Sequence, residues 1–323
     1  MALLEIENLY VRFDTKDGPI HAVNGVDLAI EENTIIAMVG ESGSGKSVTA
    51  LSSVGLLPFP GKILSGKVTL EGINILKLGA KELRQIRGPK IGMVFQDPRA
   101  SLNPIIPIGT QVKEVLLAHT NMTDGQAVEY SLKLMADVGL PDPGKLLAQF
   151  PFQLSGGMCQ RVMLSIALAL KPKLLIADEP TSNLDSTLQA GILHQLKKLK
   201  EEHGTAILLI THDMGVVAQM ADSVAVMYGG IIVEQSDSLN LFKKPSHPYT
   251  EGLFKSLPRL DDPEKRLATM KGNPPESGAL HDECPFISRC YKVTNVCRTS
   301  PKPALRSIGG NHKVACFNEI QYD

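Results

Sequence analysis

Eight residues near the start of the chain, Gly40-Glu41-Ser42-Gly43-Ser44-Gly45-Lys46-Ser47, constrain the fold more than any other feature. They follow the apolar run Ile35–Val39, which reads as a buried strand, and a helix is expected from Ser47 onward. A glycine-rich turn between strand and helix lets backbone N–H groups approach phosphate oxygens closely. The helix N-terminus adds partial positive charge at the same place. Gly40, Ser42, Gly43, Ser44, Gly45 and Val48 are the candidate nucleotide contacts around this turn. Lys46 is placed to reach β- and γ-phosphates, and Ser47 to hold Mg2+.

Further candidates sit at the ends of apolar runs. Leu174–Ala177 ends in Asp178 and Glu179, and an acid at the C-terminal end of a parallel strand faces the ligand crevice. Asp178 is the expected Mg2+ ligand, and Glu179 the residue that orients and activates water. Ile91–Phe95 leads to Gln96, a candidate contact for Mg2+ or the attacking water, and Ala206–Ile210 leads to His212. Taken alone, an acidic turn is usually solvated and a lone histidine usually structural. Their shared position at strand ends is what argues for chemistry. A second glycine pair, in Leu154-Ser155-Gly156-Gly157-Met158-Cys159-Gln160, precedes the acidic strand.

Strand and helix alternate from 174 to 227: Leu174–Ala177, a helix Ser186–Glu202, Ala206–Ile210, another helix, then Ser223–Met227. This alternation implies an α/β protein with a parallel sheet. The first 34 residues read as short strands with a turn at Lys16–Pro19. Residues 97–160 read as helical, with a capping box at Thr123 and Gln126 and one face formed by Val128, Leu132, Met135 and Gly139. After Gly230 the character changes, since nine of the 21 prolines fall beyond position 244, and a separate extension is expected.

A net charge of −1 argues against a dedicated nucleic-acid binder and against a polybasic membrane anchor. No stretch nears the roughly 20 apolar residues that span a bilayer. The N-terminal residues lack the basic start and cleavage site of a signal peptide. The expected place is therefore the cytosol, with any membrane role exerted through a partner.

Four of the five cysteines, Cys284, Cys290, Cys297 and Cys316, cluster near the end of the chain, and Cys159 stands apart. In a reducing compartment such a cluster favours a metal over disulfides. The segment looks too poor in apolar residues to fold by burial alone, so a metal staple is expected. Structural zinc usually shows a Cys-x2–4-Cys pair, which is missing here, so the spacing suits an iron–sulfur cluster better. Zinc and free buried thiols remain the alternatives. His281 and His312 are nearby and are not needed as ligands.

Taken together, Gly40–Ser47, Gln96, Leu154–Gln160, Asp178–Glu179, Ser182–Asp185 and His212 resemble the ATPase subunits of ABC transporters over roughly residues 3–240. Three further segments narrow the resemblance to dipeptide and oligopeptide importers: Val94–Pro104, Thr211–Ala218 and Lys244–Thr250. Gly55–Pro58 and the cysteine tail are similar to the D-type subunit, with nickel importers of the same group as the rival. The resemblance implies an ABC-type P-loop ATPase with a RecA-like core, an antiparallel β subdomain and a helical signature subdomain at about 97–160. Residues 1–240 would form the nucleotide-binding domain, and 241–323 a cysteine-rich extension.

It also implies that Phe13 stacks on adenine, that Ser155, Gly156 and Gly157 contact ATP held by a partner ATPase, and that Asp185 links the two ATP sites across the interface. That partner would be an F-type relative, with a homodimer possible in isolation. Two transmembrane permease subunits and an external peptide-binding protein complete the expected assembly, on the cytoplasmic side of the inner membrane. ATP and Mg2+ are the expected ligands, and a [4Fe–4S] cluster on the four tail cysteines is expected from the same resemblance. Cys159 stands where an arginine is usual, Phe152 where a polar residue is usual, and Ser182-Asn183 replaces a more usual Thr-Ala or Ser-Ala. None of these removes a catalytic group. A soluble ABC ATPase of DNA repair or translation is disfavoured by the single cassette and balanced charge, and a redox-gated ATPase is the third reading.

Overall fold

The computed structural model describes residues 2–182, 184–256, 270–273, 275 and 282–322. The chain divides into two compact units: Met1–Leu3, Ile30–Ile35 and Lys77–Ile210 form the first, and Leu4–Ala29, Ile36–Leu76 and Thr211–Asp323 the second.

In the second unit, β1 (Ala2–Thr15) and β2 (Gly18–Glu31) are long strands of 14 residues each, not the short ones expected. An irregular register around Tyr10 explains the difference. Asn8 takes a left-handed φ of 47°, and a bulge there absorbs the break in alternation so that pairing continues beyond it. The next strand, β3 (Ile35–Val39), is buried along its whole length. β4 (Gly61–Leu70) and β5 (Ile73–Asn74) complete an antiparallel sheet of order β2-β1-β4-β5. Leu4, Ile6, Leu9 and Val11 of β1 and Val23, Val26 and Leu28 of β2 supply its buried face.

The first unit carries β6 (Ile91–Val94), β7 (Leu174–Asp178) and β8 (Ala206–Ile210), which pair in parallel in that order. Every residue of β7 and β8 is buried, as expected of a strand covered on both faces. Helices Ile108–His119, Asp124–Asp137 and Gly156–Leu168 fill the stretch between β6 and β7. The Thr123–Gln126 capping box forms as expected. The buried face of that helix differs from the expected one, because Ala127, Ser131, Leu134 and Met135 turn inward while Val128 and Leu132 are only half-buried. Small Ala127 and Ser131 let the helix approach closely, and the Ser131 hydroxyl is satisfied by donating to the Ala127 carbonyl at 2.7 Å.

The second unit resumes with β9 (Ser223–Tyr228), parallel to β3, and β10 (Ile231–Asp237), antiparallel to β9. In the tail, β11 (Arg306–Gly309) pairs with β12 (His312–Val314), and β12 pairs with β10. Among the described residues of the tail, regular structure is sparse, as expected, but the segment is not short of burial. Phe286, Val314 and Ala315 are almost fully enclosed. Phe286 joins a core with Val39, Val226, Tyr228, Val233 and Tyr249, against which Cys284 and Cys290 pack.

A buried carboxylate fixes this arrangement. Glu234 of β10 accepts from the backbone N–H of Ser246 at 2.6 Å and of His247 at 2.9 Å, and its Oε1 lies 2.7 Å from His312 Nε2. Both of its oxygens are engaged, which offsets the cost of removing the carboxylate from water.

Candidate functional site

Backbone geometry restricts the phosphate loop to glycine at two points. Gly40 has φ 152°, and a Cβ there would lie 2.1 Å from the Met227 carbonyl oxygen. Gly45 has φ 103°, and its Cβ would lie 2.4 Å from the Ala22 carbonyl oxygen. Gly45 also caps helix Lys46–Ser53, which puts Ser47 and Val48 in the first turn. Ser44 N–H donates to the Glu41 carbonyl at 3.2 Å, closing the loop. Lys46 is 7% exposed, and its ammonium donates to the Gly40 carbonyl at 2.8 Å, to the Glu41 carbonyl at 2.9 Å and to Ser44 Oγ at 3.3 Å. Ser42 and Gly43 lie on the exposed rim.

Phe13, half-buried near the end of β1, faces Gly61 of β4, where a Cβ would lie 2.8 Å from its ring. His212 is exposed just beyond β8, between Thr211 and Asp213. Asp213 caps the helix Met214–Met220 by accepting from Gly215 N–H at 2.8 Å.

In the first unit, Asp178 ends β7 at 4% exposure. Glu179 follows with φ 48°, an uncommon left-handed conformation for a glutamate and a form of strain that clusters at functional sites. Its N–H donates to the Ile210 carbonyl at 2.9 Å. Gln96 Nε2 donates to Glu179 Oε2 at 3.5 Å, so two of the sequence candidates meet at their side chains. The Asp178 carboxylate, the Gln96 amide and, in the second unit, the Ser47 hydroxyl each offer oxygen of the kind a hard cation such as Mg2+ takes.

Ser155 caps the helix Gly156–Leu168, its Oγ accepting from Met158 N–H at 3.3 Å. Gly156 is exposed, and a Cβ at Gly157 would meet Leu188 at 2.8 Å. Asp185 caps helix Ser186–His203 by accepting from Leu188 N–H at 2.9 Å. Ser182 Oγ donates to the Glu179 carbonyl at 3.0 Å, and Asn183 lies outside the described residues. Cys159 is fully buried with its thiol 3.5 Å from the Pro151 carbonyl oxygen, and burial pushes its pKa up, partly offset by the nearby Arg99 guanidinium. Phe152 is exposed and stacks on Phe150.

Cys284, Cys290, Cys297 and Cys316 line one small, mostly apolar pocket with Phe286, Phe317 and Asn318. Burial pushes the Cys284 thiol up to about 12 and the Cys316 thiol to about 11, with the neighbouring thiols adding to the shift. Asn318 N–H donates to Cys316 Sγ at 3.3 Å. Among the described residues, no group of three or more His, Cys, Asp or Glu is set to hold a metal ion. The expected iron–sulfur cluster, and zinc as its alternative, therefore find no ready-made ion site. His312 is committed to Glu234 and to Asn240, and His281 lies outside the described residues.

One group escaped sequence reasoning. Glu41, a variable position of the phosphate loop, pairs with Arg289 from the tail at 2.8 and 3.2 Å. A carboxylate inside an anion-binding loop was the available signal, but its partner 248 positions away had none.

Comparison with known proteins follows the same lines. The ABC transporter family profile matches residues 23–182, and that of the oligopeptide/dipeptide transporter C-terminal region matches residues 233–297. The chain is 43% identical to the dipeptide transport ATP-binding protein DppD of Bacillus subtilis, over 99% of this chain and 95% of that protein. The chain belongs to the ABC transporter ATP-binding family. This ABC ATPase is also 46% identical to the oligopeptide transport ATP-binding protein OppD of Haemophilus influenzae, over 93% of each chain. Among solved structures it is similar to an ATP-binding cassette dimer in a post-hydrolysis state with ADP and Pi, at 31% identity and TM-score 0.66, covering 73% of this chain and 98% of that one. It binds and hydrolyses ATP as its family does, with the hydrolysis coupled to transport. No helix among the described residues is long and apolar enough to cross a membrane.

Proposed function

We propose that this ABC ATPase powers import of di- and oligopeptides through a membrane transporter. The observation that carries this reading is near-full-length similarity to peptide-transport ATP-binding proteins, together with the match of residues 233–297 to their C-terminal region. Residues 1–240 act as the nucleotide-binding domain and 241–323 as a cysteine-rich extension.

Roles follow from side-chain chemistry. The loop around Gly40, Ser42, Gly43, Ser44, Gly45 and Val48 holds phosphate, and Lys46 neutralises it. Ser47, Gln96 and Asp178 would hold Mg2+, which would supply charge neutralisation at the phosphates. Glu179 accepts a proton from the attacking water, Gln96 steadies Glu179, and His212 hydrogen-bonds near the terminal phosphate. Phe13 offers its ring to adenine. Ser155, Gly156, Gly157 and Asp185 serve the ATP of a second ATPase subunit, an F-type relative or a second copy. Two permease subunits and an external binding protein complete the assembly at the cytoplasmic face of the inner membrane.

The four tail thiols would hold a [4Fe–4S] cluster, which would supply a covalent staple to the tail. Support comes from four cysteines lining one pocket and from the N–H···S bond to Cys316, both common around such clusters.

Glu179→Gln is expected to retain ATP binding and to lower hydrolysis about a hundredfold or more, leaving ATP-held dimers visible by size-exclusion chromatography. Lys46→Ala is expected to weaken ATP binding itself. Wild-type turnover in Glu179→Gln would remove that residue from its role.

A further inference from the structure

The phosphate loop and the cysteine tail share a charge. Arg289 is carried by the turn that leaves Cys284, in which Ile287 N–H donates to the Cys284 carbonyl at 3.0 Å and Arg289 N–H to the Phe286 carbonyl at 3.1 Å. Its guanidinium forks onto both oxygens of Glu41, Nη1 to Oε2 at 2.8 Å and Nη2 to Oε1 at 3.2 Å. The Arg289 side chain is only 5% exposed, against 25% for Glu41. Nη1 also donates to Tyr228 Oη at 3.2 Å, Nε donates to the Lys271 carbonyl at 3.3 Å, and the guanidinium lies over the rings of Tyr228 and Phe286. Such a fork, enclosed by two rings, has one orientation.

Glu41 is held at every polar point. Its N–H donates to Tyr249 Oη at 2.9 Å, and its carbonyl accepts from Lys46 Nζ at 2.9 Å and from Ser44 N–H at 3.2 Å. The tail arginine is thus two steps from the phosphate-binding lysine, through one loop residue.

We propose that Arg289 is a positioning residue for the nucleotide phosphates, acting through Glu41. It cancels a carboxylate that would otherwise repel the phosphates from inside the loop that binds them. This rests on residues 40–47 holding ATP.

The test uses the purified full chain and Mg-ATP titrated by calorimetry. Arg289→Gln leaves Glu41 uncompensated and is expected to raise the ATP Kd about tenfold, with the change shrinking as salt is raised. Glu41→Gln leaves Arg289 facing the loop as a spare cation and is expected to bind ATP as tightly as the unmodified chain or tighter. The double variant is expected within about twofold of the unmodified chain, since neither charge remains. A merely structural bridge weakens binding in both single variants, so a raised Kd in Glu41→Gln overturns the proposal even where Arg289→Gln fails to fold. An unchanged Kd in folded Arg289→Gln overturns it as well. Lys46→Ala serves as the control, because ATP binding that survives in that variant defeats the phosphate-loop reading itself, whatever Arg289 does.

Discussion

Gly40 shows how little freedom single residues have around the phosphate loop. Any side chain there meets the Met227 carbonyl oxygen, a backbone atom that cannot swing aside. Gly40→Ala is expected to cost roughly 2 kcal/mol or more, read as a lowered thermal midpoint of the full chain; an unchanged midpoint would mean the loop is free to re-form. Residues of this kind were legible in the sequence because their constraint is local: Gly45, Lys46 and Ser47 sit in a fixed order between a strand and a helix. Asp178 was legible for the same reason, as the last residue of an apolar run. Glu41 and Arg289 were not, because a pairing across 248 positions leaves no periodic trace.

Among the elements, β3, β7, β8 and β9 were readable as unbroken apolar runs, since burial on both faces removes any need for polar alternation. Elements with one wet face were harder to place. The bulge near Tyr10 joined what looked like separate short strands, and the helix Asp124–Asp137 turned inward on Ala127 and Ser131, small residues that hydropathy alone undervalues. β11 and β12 were missed because three or four residues flanked by Pro303 and Gly310 carry too little pattern. The tail's chemistry is testable as an element. Anaerobically purified chain is expected to absorb near ~400 nm and to yield about four irons with matching sulfide. Stoichiometric zinc without colour, or no metal, would leave the tail held by burial and strand pairing alone.

For the molecule as a whole, the tail is part of what it stabilises. β12 covers the edge of β10, and Phe286, Val314 and Ala315 are enclosed in the second unit. Deleting residues 282–323 is therefore expected to cost roughly 5 kcal/mol or more, seen as a lowered unfolding temperature and increased binding of an apolar dye. A truncated chain as stable as the full one would show that the core closes without its tail. The family was readable from dispersed motifs, because each lies where a strand ends or a helix begins. How firmly the extension is built into the second unit was not, because strand addition depends on long-range register.

The distance between Glu41 and Arg289 also sets an order in time. A ribosome delivers the phosphate loop first and its arginine 248 residues later. At about 5–20 residues per second, the loop spends on the order of ten seconds or more without its counter-charge. On the proposed role of Arg289, a nascent chain holds nucleotide weakly until Arg289 has emerged. A half-made subunit would then compete poorly for ATP.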